Sequence, residues 1–391
     1  VIPRHRHTRA LLALLDRNPV VALLGARQVG KSTLAKEVAR RRGTKATVLD
    51  LESPRDLDRL TASPLSTLEP AKGLVVLDEV QRLPDLFPTL RVLADRKATP
   101  ARFLVLGNAS PHLLRQSSES LAGRIAFHEM AGFALDETGA GAMDRLWLRG
   151  SFPRSFLADS DAESMRWRLD FVRTFLERDV AGLGSSIPPA QLRRFWAMVA
   201  HAHGGIWNAS GLGRSLGVTD ASVKRWLDLL SGAYVLRILP AWHENLGKRQ
   251  VKAPKVYVAD SGLLHALLGV ETREHLDVHP EVGASWEGFA ISQIVERLGA
   301  RPDQCHFWRT HTGAELDLLV VAGRRRYGFE FKRTDTPAAL TRSMHVALHD
   351  LKLDRLDVVH PGPHTYEIRD GVRALALRRI LSDLDPLRPG A

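Results

Sequence analysis

Short apolar runs separated by helical periodicity mark the first third of the chain. VVALL at 20–24, LVVL at 74–77 and FLVL at 103–106 carry no internal alternation, and a further strand, ATVLD, closes on Asp50. Runs this short and this uniformly apolar read as strands buried on both faces of a parallel sheet. Between the first two, Leu34 and Val38 keep the spacing of a helix face. From 141 to 190 the period is helical, with Met165, Leu169, Val172 and Leu176 on one stripe, which predicts a small helical lid or linker. From 191 to 275 a helix of about Ser210–Leu216 stops at Gly217, and Thr219 caps a second helix through Leu230. Val223, Trp226, Leu227 and Leu230 would face inward, and Ser222, Lys224 and Arg225 outward. A β-pair follows, 234–239 with 255–258, so this block reads as a winged helix. The last block opens with a helix that packs Phe289, Ile291, Ile294, Val295 and Leu298 and carries Glu287. A hairpin then runs from ELDLLVV through AGRRR into YGFEFKR.

The predicted fold class is therefore α/β. A parallel-sheet ATPase domain at 1–140 is followed by a helical lid at 141–190, a winged helix at 191–275 and a small α/β module at 276–391. A chain of 391 residues suits two to three such domains.

Charge sharpens the picture. Of the formal +11, residues 1–140 hold a surplus of six positive charges and residues 191–275 a surplus of five, while the remaining blocks balance. Such localisation suggests a polyanion surface, although an arginine-rich composition by itself also gives a basic protein. Lys248, Arg249, Lys252 and Lys255 would make the wing basic. The single cysteine, Cys305, excludes an internal disulfide and a thiolate zinc cluster. The first apolar run, LLALL, ends at Asp16 and is too short for a signal core or a membrane span. A cytoplasmic location is expected. His201 and His203 form an isolated pair without further ligands.

GARQVGKS, residues 25–32, sits between the first strand and the first helix, the context that gives a G-x-x-x-x-G-K-[ST] match its meaning. Gly25, Ala26, Arg27, Gln28, Val29 and Gly30 would wrap a phosphate with backbone N–H groups. Lys31 would reach the β- and γ-phosphates of ATP, Ser32 would bind Mg²⁺, and Thr33 would lie near the α-phosphate. Asp78 at the tip of LVVLD suits Mg²⁺ held through water, and Glu79 suits a base for the attacking water. Asn108 is either a γ-phosphate sensor or ordinary turn chemistry. Arg124 is either an arginine finger, in cis or from a neighbouring subunit, or an ion-pairing arginine. Asp50, Glu52, Ser53 and Pro54 read as structural, the last two opening a helix.

In the last block Glu287, Asp317 and Glu330 would converge on a divalent cation if the hairpin register holds, with Lys332 beside them to orient water. The competing reading is a half-exposed hairpin with salt-bridged charges.

Taken in order, GARQVGKST, LVVLDEVQRLP, SLAGR, RGSFP, FLERDV, VTDASVKRWLDLL, APKVYVADSGLLHALLG, WEGF, FWRTHTGAELDLLV and FEFKR resemble a prokaryotic ATPase family. That family joins an AAA-superfamily domain to a C-terminal domain of unknown function. The resemblance spans nearly the whole chain. It implies an ATP-binding parallel-sheet domain, a winged helix and a restriction-endonuclease-like terminal module. Asn108 stands where the family more often has Ser, and RGSFP replaces a more usual Gly-Gly-x-Pro. The expected activity is Mg²⁺-dependent ATP hydrolysis linked to DNA, with a homo-oligomer or protein partner compatible with it. The alternatives are an ATP-gated switch with an inactive terminal scaffold, or a transcriptional regulator that binds DNA without cutting it.

Overall fold

The computed structural model describes residues 2–43, 46–96, 101–107, 120–180, 187–243 and 250–387. They form two compact units: residues 1–132 with 229–235, and residues 133–228 with 236–391.

The first unit is built on five parallel strands: β1 (Val20–Leu24), β2 (Ala46–Asp50), β3 (Gly73–Asp78), β4 (Ala101–Gly107) and β5 (Ile125–Glu129), in the order β2-β3-β4-β1-β5. All five residues of β1 are buried, which is why the run is apolar throughout rather than alternating. Its core gathers Val20, Ala22 and Leu24 with Val75, Leu77, Phe87, Leu90, Phe103 and Val105. β4 lies between β1 and β3, so the chain reverses direction across the sheet there. Ligand crevices in open α/β sheets lie beyond the carboxyl ends of such strands.

The second unit holds the helical block, the helix–turn–helix as far as residue 228, and the terminal sheet. The helix Ala209–Leu216 ends on Gly217 at φ 69°, a left-handed value that glycine adopts without cost. Thr219 Oγ1 accepts from the N–H of Ser222 and caps the helix Asp220–Gly232. Val223, Trp226 and Leu227 are buried there, and Lys224 and Arg225 are exposed. β6 (Leu236–Leu239) pairs antiparallel with β7 (Lys255–Val258). Leu169 departs from the expected helix stripe: it is exposed, and the buried face carries Arg168 and Phe171 instead. Arg168 has no exposed surface and donates to the carbonyls of Ser164, Leu148 and Gly262.

The terminal sheet has six strands in the order β12-β13-β11-β10-β9-β8. These are β8 (Cys305–Arg309), β9 (Glu315–Ala322), β10 (Arg325–Phe331), β11 (Arg355–His360), β12 (Tyr366–Arg369) and β13 (Val372–Ala376). β9 and β10 form a hairpin across Gly323-Arg324, in the register Ala322↔Arg325 through Leu318↔Phe329. One further step sets Asp317 opposite Glu330. Met344 and Ala347 of the helix Arg342–Asp350 close a core with Trp308, Leu316, Leu319 and Leu356. No helix among the described residues is long and apolar enough to cross a membrane.

Candidate functional sites

The loop after β1 turns on two left-handed residues, Gln28 at φ 64° and Gly30 at φ 100°. Such turns direct successive backbone N–H groups toward one point, a nest for an anion. A Cβ on Gly25 would collide with the Met130 carbonyl oxygen, so only glycine fits there. Ala26 and Val29 are buried. Arg4, which the motif does not announce, braces the loop from behind through the carbonyls of Val29 (3.2 Å), Ala131 (3.0 Å) and Gly132 (2.7 Å). Arg27 pairs with Glu52 at 2.9 Å, which ties the loop to the end of β2. The helix Pro54–Ala62 begins at Pro54 as expected, but Ser53 makes no side-chain cap.

Lys31 is 5% exposed, and its Nζ donates to the carbonyls of Gly25 and Ala26, both at 2.9 Å. Burial pulls its pKa down, and Glu79 and Asp78 only partly restore it. Ser32 Oγ donates to Asp78 Oδ2 at 2.5 Å, although 46 residues separate the two. Thr33, beside it, is exposed. A hydroxyl and a carboxylate joined at the mouth of a phosphate nest form the oxygen set that suits hydrated Mg²⁺. Glu79 sits at φ 55°, its N–H bonded to Asp78 Oδ1 and its carboxylate bonded by Gln81. Burial raises its pKa against the opposing pull of Lys31.

Two expected residues fall elsewhere. Asn108 lies outside the described residues, one position beyond β4. Arg124 cannot act as a cis finger. Its carbonyl accepts from the N–H of Val20, at the start of β1, whereas the phosphate loop follows Leu24 at the other end. Four strand steps separate them, about 13 Å, and its guanidinium is held by Asp95 at 2.5 and 3.0 Å.

The terminal sheet assembles a second cluster within the second unit. Phe331 N–H donates to Asp317 Oδ2 at 3.0 Å, and Lys332 Nζ to Glu330 Oε1 at 2.8 Å. Glu330 is 6% exposed, while the Lys332 side chain that pairs with it is 38% exposed, so the stretch is buried at the carboxylate and salt-bridged as the competing reading expected. Glu287 comes from the helix Val282–Leu298. Burial, reinforced by Asp317, pushes the Glu287 and Glu330 carboxyls up to about 7. Lys255 corrects the basic-wing expectation. It is 4% exposed and lies 3.1 Å from Glu287, 2.6 Å from Glu315 and 3.6 Å from Asp317. Lys252 is exposed, and Lys248 and Arg249 lie outside the described residues. Among the described residues no group of three His, Cys, Asp or Glu side chains is arranged as a metal-ligand set; Lys255 and Lys332 pair with these carboxylates.

RGSFP and ADSGLL prove to be two halves of one brace. Asp260 accepts from Ser151 N (2.6 Å), Ser151 Oγ (2.8 Å) and Leu263 N (2.8 Å). A Cβ on Gly150 would collide with that carboxylate. These residues hold backbone together.

A parallel sheet in this strand order, with a phosphate nest on β1 and an acidic pair on β3, defines a P-loop ATPase fold of the AAA type, followed by helical and further sheet-containing parts. Comparison with known proteins agrees. Residues 17–139 match the family described as an AAA domain, 141–274 a domain of unknown function (DUF8612) and 282–380 another (DUF4143). The chain is 47% identical over 382 residues to uncharacterized proteins of Mycobacterium tuberculosis (Rv2008c) and Mycobacterium bovis (Mb2031c), covering 98% of this chain and 85% of each relative. It belongs to the family of these two proteins. In this chain, as the sequence resemblance implied, an AAA-type domain precedes a C-terminal domain of unknown function. The Walker-type ATPase PABY2304 of Pyrococcus abyssi shares the fold at 17% identity and a TM-score of 0.50, over 68% of this chain and 96% of that one.

Proposed function

We propose that this protein is a Mg²⁺-dependent ATPase acting at DNA through its winged-helix segment. The observation that carries the ATPase reading is the Ser32–Asp78 hydrogen bond at 2.5 Å, set between the buried Lys31 ammonium and the Glu79 carboxylate. Bound Mg²⁺ would neutralise charge on the β- and γ-phosphates, and Ser32 and Asp78 are the residues to hold it. Lys31 gives up its two loop carbonyls to bind the phosphates. Glu79 takes the proton of the attacking water, a task suited to a carboxyl whose pKa burial has raised. Arg124, facing away from its own nest, would serve a neighbouring subunit in a homo-oligomer. Mg·ATP should raise the melting temperature of the chain, and Lys31→Ala should abolish that shift. An equal shift in the variant would refute the assignment.

The DNA reading rests on the exposed Lys224, Arg225 and Lys252 and on the surplus charge of the middle block. In the same reading Glu287, Asp317, Glu330 and Lys332 form a nuclease-like metal site. A second reading, an ATP-gated switch whose terminal module is an inert protein-contact scaffold, is favoured by one observation, the ion pairs of Lys255 with three carboxylates of the cluster. Metal-dependent cleavage of DNA that Asp317→Ala removes, with ATP hydrolysis retained, would decide for the first. Neither binding nor cleavage of DNA would decide for the second.

A further inference from the structure

The carboxylate cluster contains a cation brought by a different stretch of the chain. Glu287, Glu315, Asp317 and Glu330 all belong to the terminal family match at 282–380, and Lys255 belongs to the preceding one at 141–274. Lys255 opens β7, and Tyr257 follows two residues later on the same face. The tyrosine hydroxyl donates to Glu287 Oε1 at 2.6 Å, the same oxygen that Lys255 approaches at 3.1 Å. Four carboxylates therefore share three cations: Lys255, Lys332 and Arg309, whose guanidinium lies 3.3 Å from Glu315. Carboxylates this poorly solvated demand a cation, because their mutual repulsion is barely screened. The compensation is incomplete: Glu330 Oε2 is buried and has no hydrogen-bond partner, and the Glu330 side chain is only 8% exposed.

We propose that Lys255 is the built-in cation of this cluster, standing where a divalent ion would bind, so that Mg²⁺ or Mn²⁺ enters only when β7 withdraws the lysine. The inference rests on the metal reading of the cluster given above and adds its regulation. The Lys255 Cα is fixed by backbone pairing with Leu239 on one side and Ile206 on the other, and the side chain, 5% exposed, lies over the Phe307 ring at 5.7 Å. A shift of the strand would draw the ammonium out of the cluster, and Tyr257 would leave with it. Control of the cluster thus lies with the β6–β7 hairpin, the wing of the segment assigned to DNA. A duplex or partner that repositions the wing would unlock the site.

The test is a Mn²⁺ titration of the nucleotide-free full chain, with free Mn²⁺ read by electron paramagnetic resonance. Lys255→Met should bind one additional Mn²⁺ per chain at least tenfold more tightly than the parent, and adding Asp317→Asn should remove that ion. Equal affinity in parent and Lys255→Met, lost in both with Asp317→Asn, would overturn the displacement and leave the metal reading standing. No Mn²⁺ bound by either would overturn both. Where Lys255→Met does not fold, Lys255→Met with Glu315→Gln removes a buried negative charge along with the positive one and gives the same readout.

Discussion

Replacing Glu79 with Gln isolates the chemistry of the first unit. The two side chains have the same length, so the φ of 55°, the Asp78 hydrogen bond to the residue 79 N–H and the Ser32–Asp78 contact all remain available. The proton acceptor is lost, and with it one of the two negative charges that act on the Lys31 ammonium. A positioned general base contributes about 10²–10⁴-fold to rate, so phosphate release should fall by about that factor. Binding of a fluorescent ATP analogue should stay within about threefold. The raised pKa adds a pH signature. Glu79 must be ionised to act, so the acid limb of kcat should lie above the ordinary carboxylate range, and the residual rate of Glu79→Gln should lack that limb. Glu79→Gly supplies the structural control. A left-handed non-glycine residue costs about 1–2 kcal/mol, so the glycine variant should melt no lower than the parent while remaining inactive. Equal phosphate release by parent and Glu79→Gln would refute the role.

Three further outcomes follow from the second unit. Replacing Lys224, Arg225 and Lys252 with Ala should weaken duplex binding without regard to sequence and flatten the salt slope by up to about three phosphate contacts; unchanged affinity would remove this surface from DNA binding. Arg168→Met should destabilise the unit by about 1–3 kcal/mol in urea melts, because it removes a charged donor from the carbonyls of Ser164, Leu148 and Gly262 and a positive charge that acts through space on buried Asp260; a loss below about 0.5 kcal/mol would show that the guanidinium is dispensable. His265, its pKa depressed to about 3 by burial, takes up a proton on unfolding at any pH between about 3 and 6.5. Its stabilising contribution is whole above pH 6.5 and shrinks as pH falls, by about 2 kcal/mol at pH 5. His265→Gln should therefore lose about that much less than the parent between pH 7 and 5. This difference between proteins carries the test, because Glu287 and Glu330, raised to about 7, shift the absolute curves the other way.

Much of the first unit was legible because a P-loop is a local device. Gly25, Gly30, Lys31 and Ser32 lie within eight residues, and their spacing alone dictates the turn. Arg4 was not legible, since it braces the loop from outside the motif through backbone carbonyls that carry no sequence signature. Arg124 stayed open between finger and ion pair for a related reason: sequence order places it before a strand, but only the parallel pairing of β5 with β1 decides which end of the sheet it occupies. In the terminal hairpin Tyr327, Phe329 and Phe331 alternate with Gly328 and Glu330, a pattern that by itself suits one dry face and one wet one. Gly328 and Glu330 are buried as well, so the sheet is covered on both sides there and alternation no longer marks solvent. Lys255 was placed with the exposed basic wing because KRQVKAPK is a continuous charge-rich stretch. What turns it inward is the two-residue period it shares with Tyr257, and a period shows that two residues face together without saying toward what.

The two buried lysines, Lys31 and Lys255, show how a cation can be stored for opposite purposes. Each is at most 5% exposed, so each has lost most of its hydration. Lys31 is compensated by two carbonyl dipoles, with Asp78 and Glu79 acting on it only through space, and burial wins: its pKa falls. An incoming phosphate would supply the full negative charge that the loop carbonyls do not, and binding energy is available because the resting state is under-compensated. At Lys255 burial opposes the charge as well, but Glu287, Asp317 and Glu315 outweigh it and the pKa rises. There the lysine is satisfied and the carboxylates are the under-compensated party, with Glu287 and Glu330 driven up to about 7. The ligand each site lacks is read from the sign of its residual charge, an anion at the P-loop and a cation at the terminal cluster. Geometry sets a further difference: Lys31 holds two carbonyls of its own loop, whereas Lys255 holds carboxylates contributed by a helix and a neighbouring strand, a set that a shift of β7 would open.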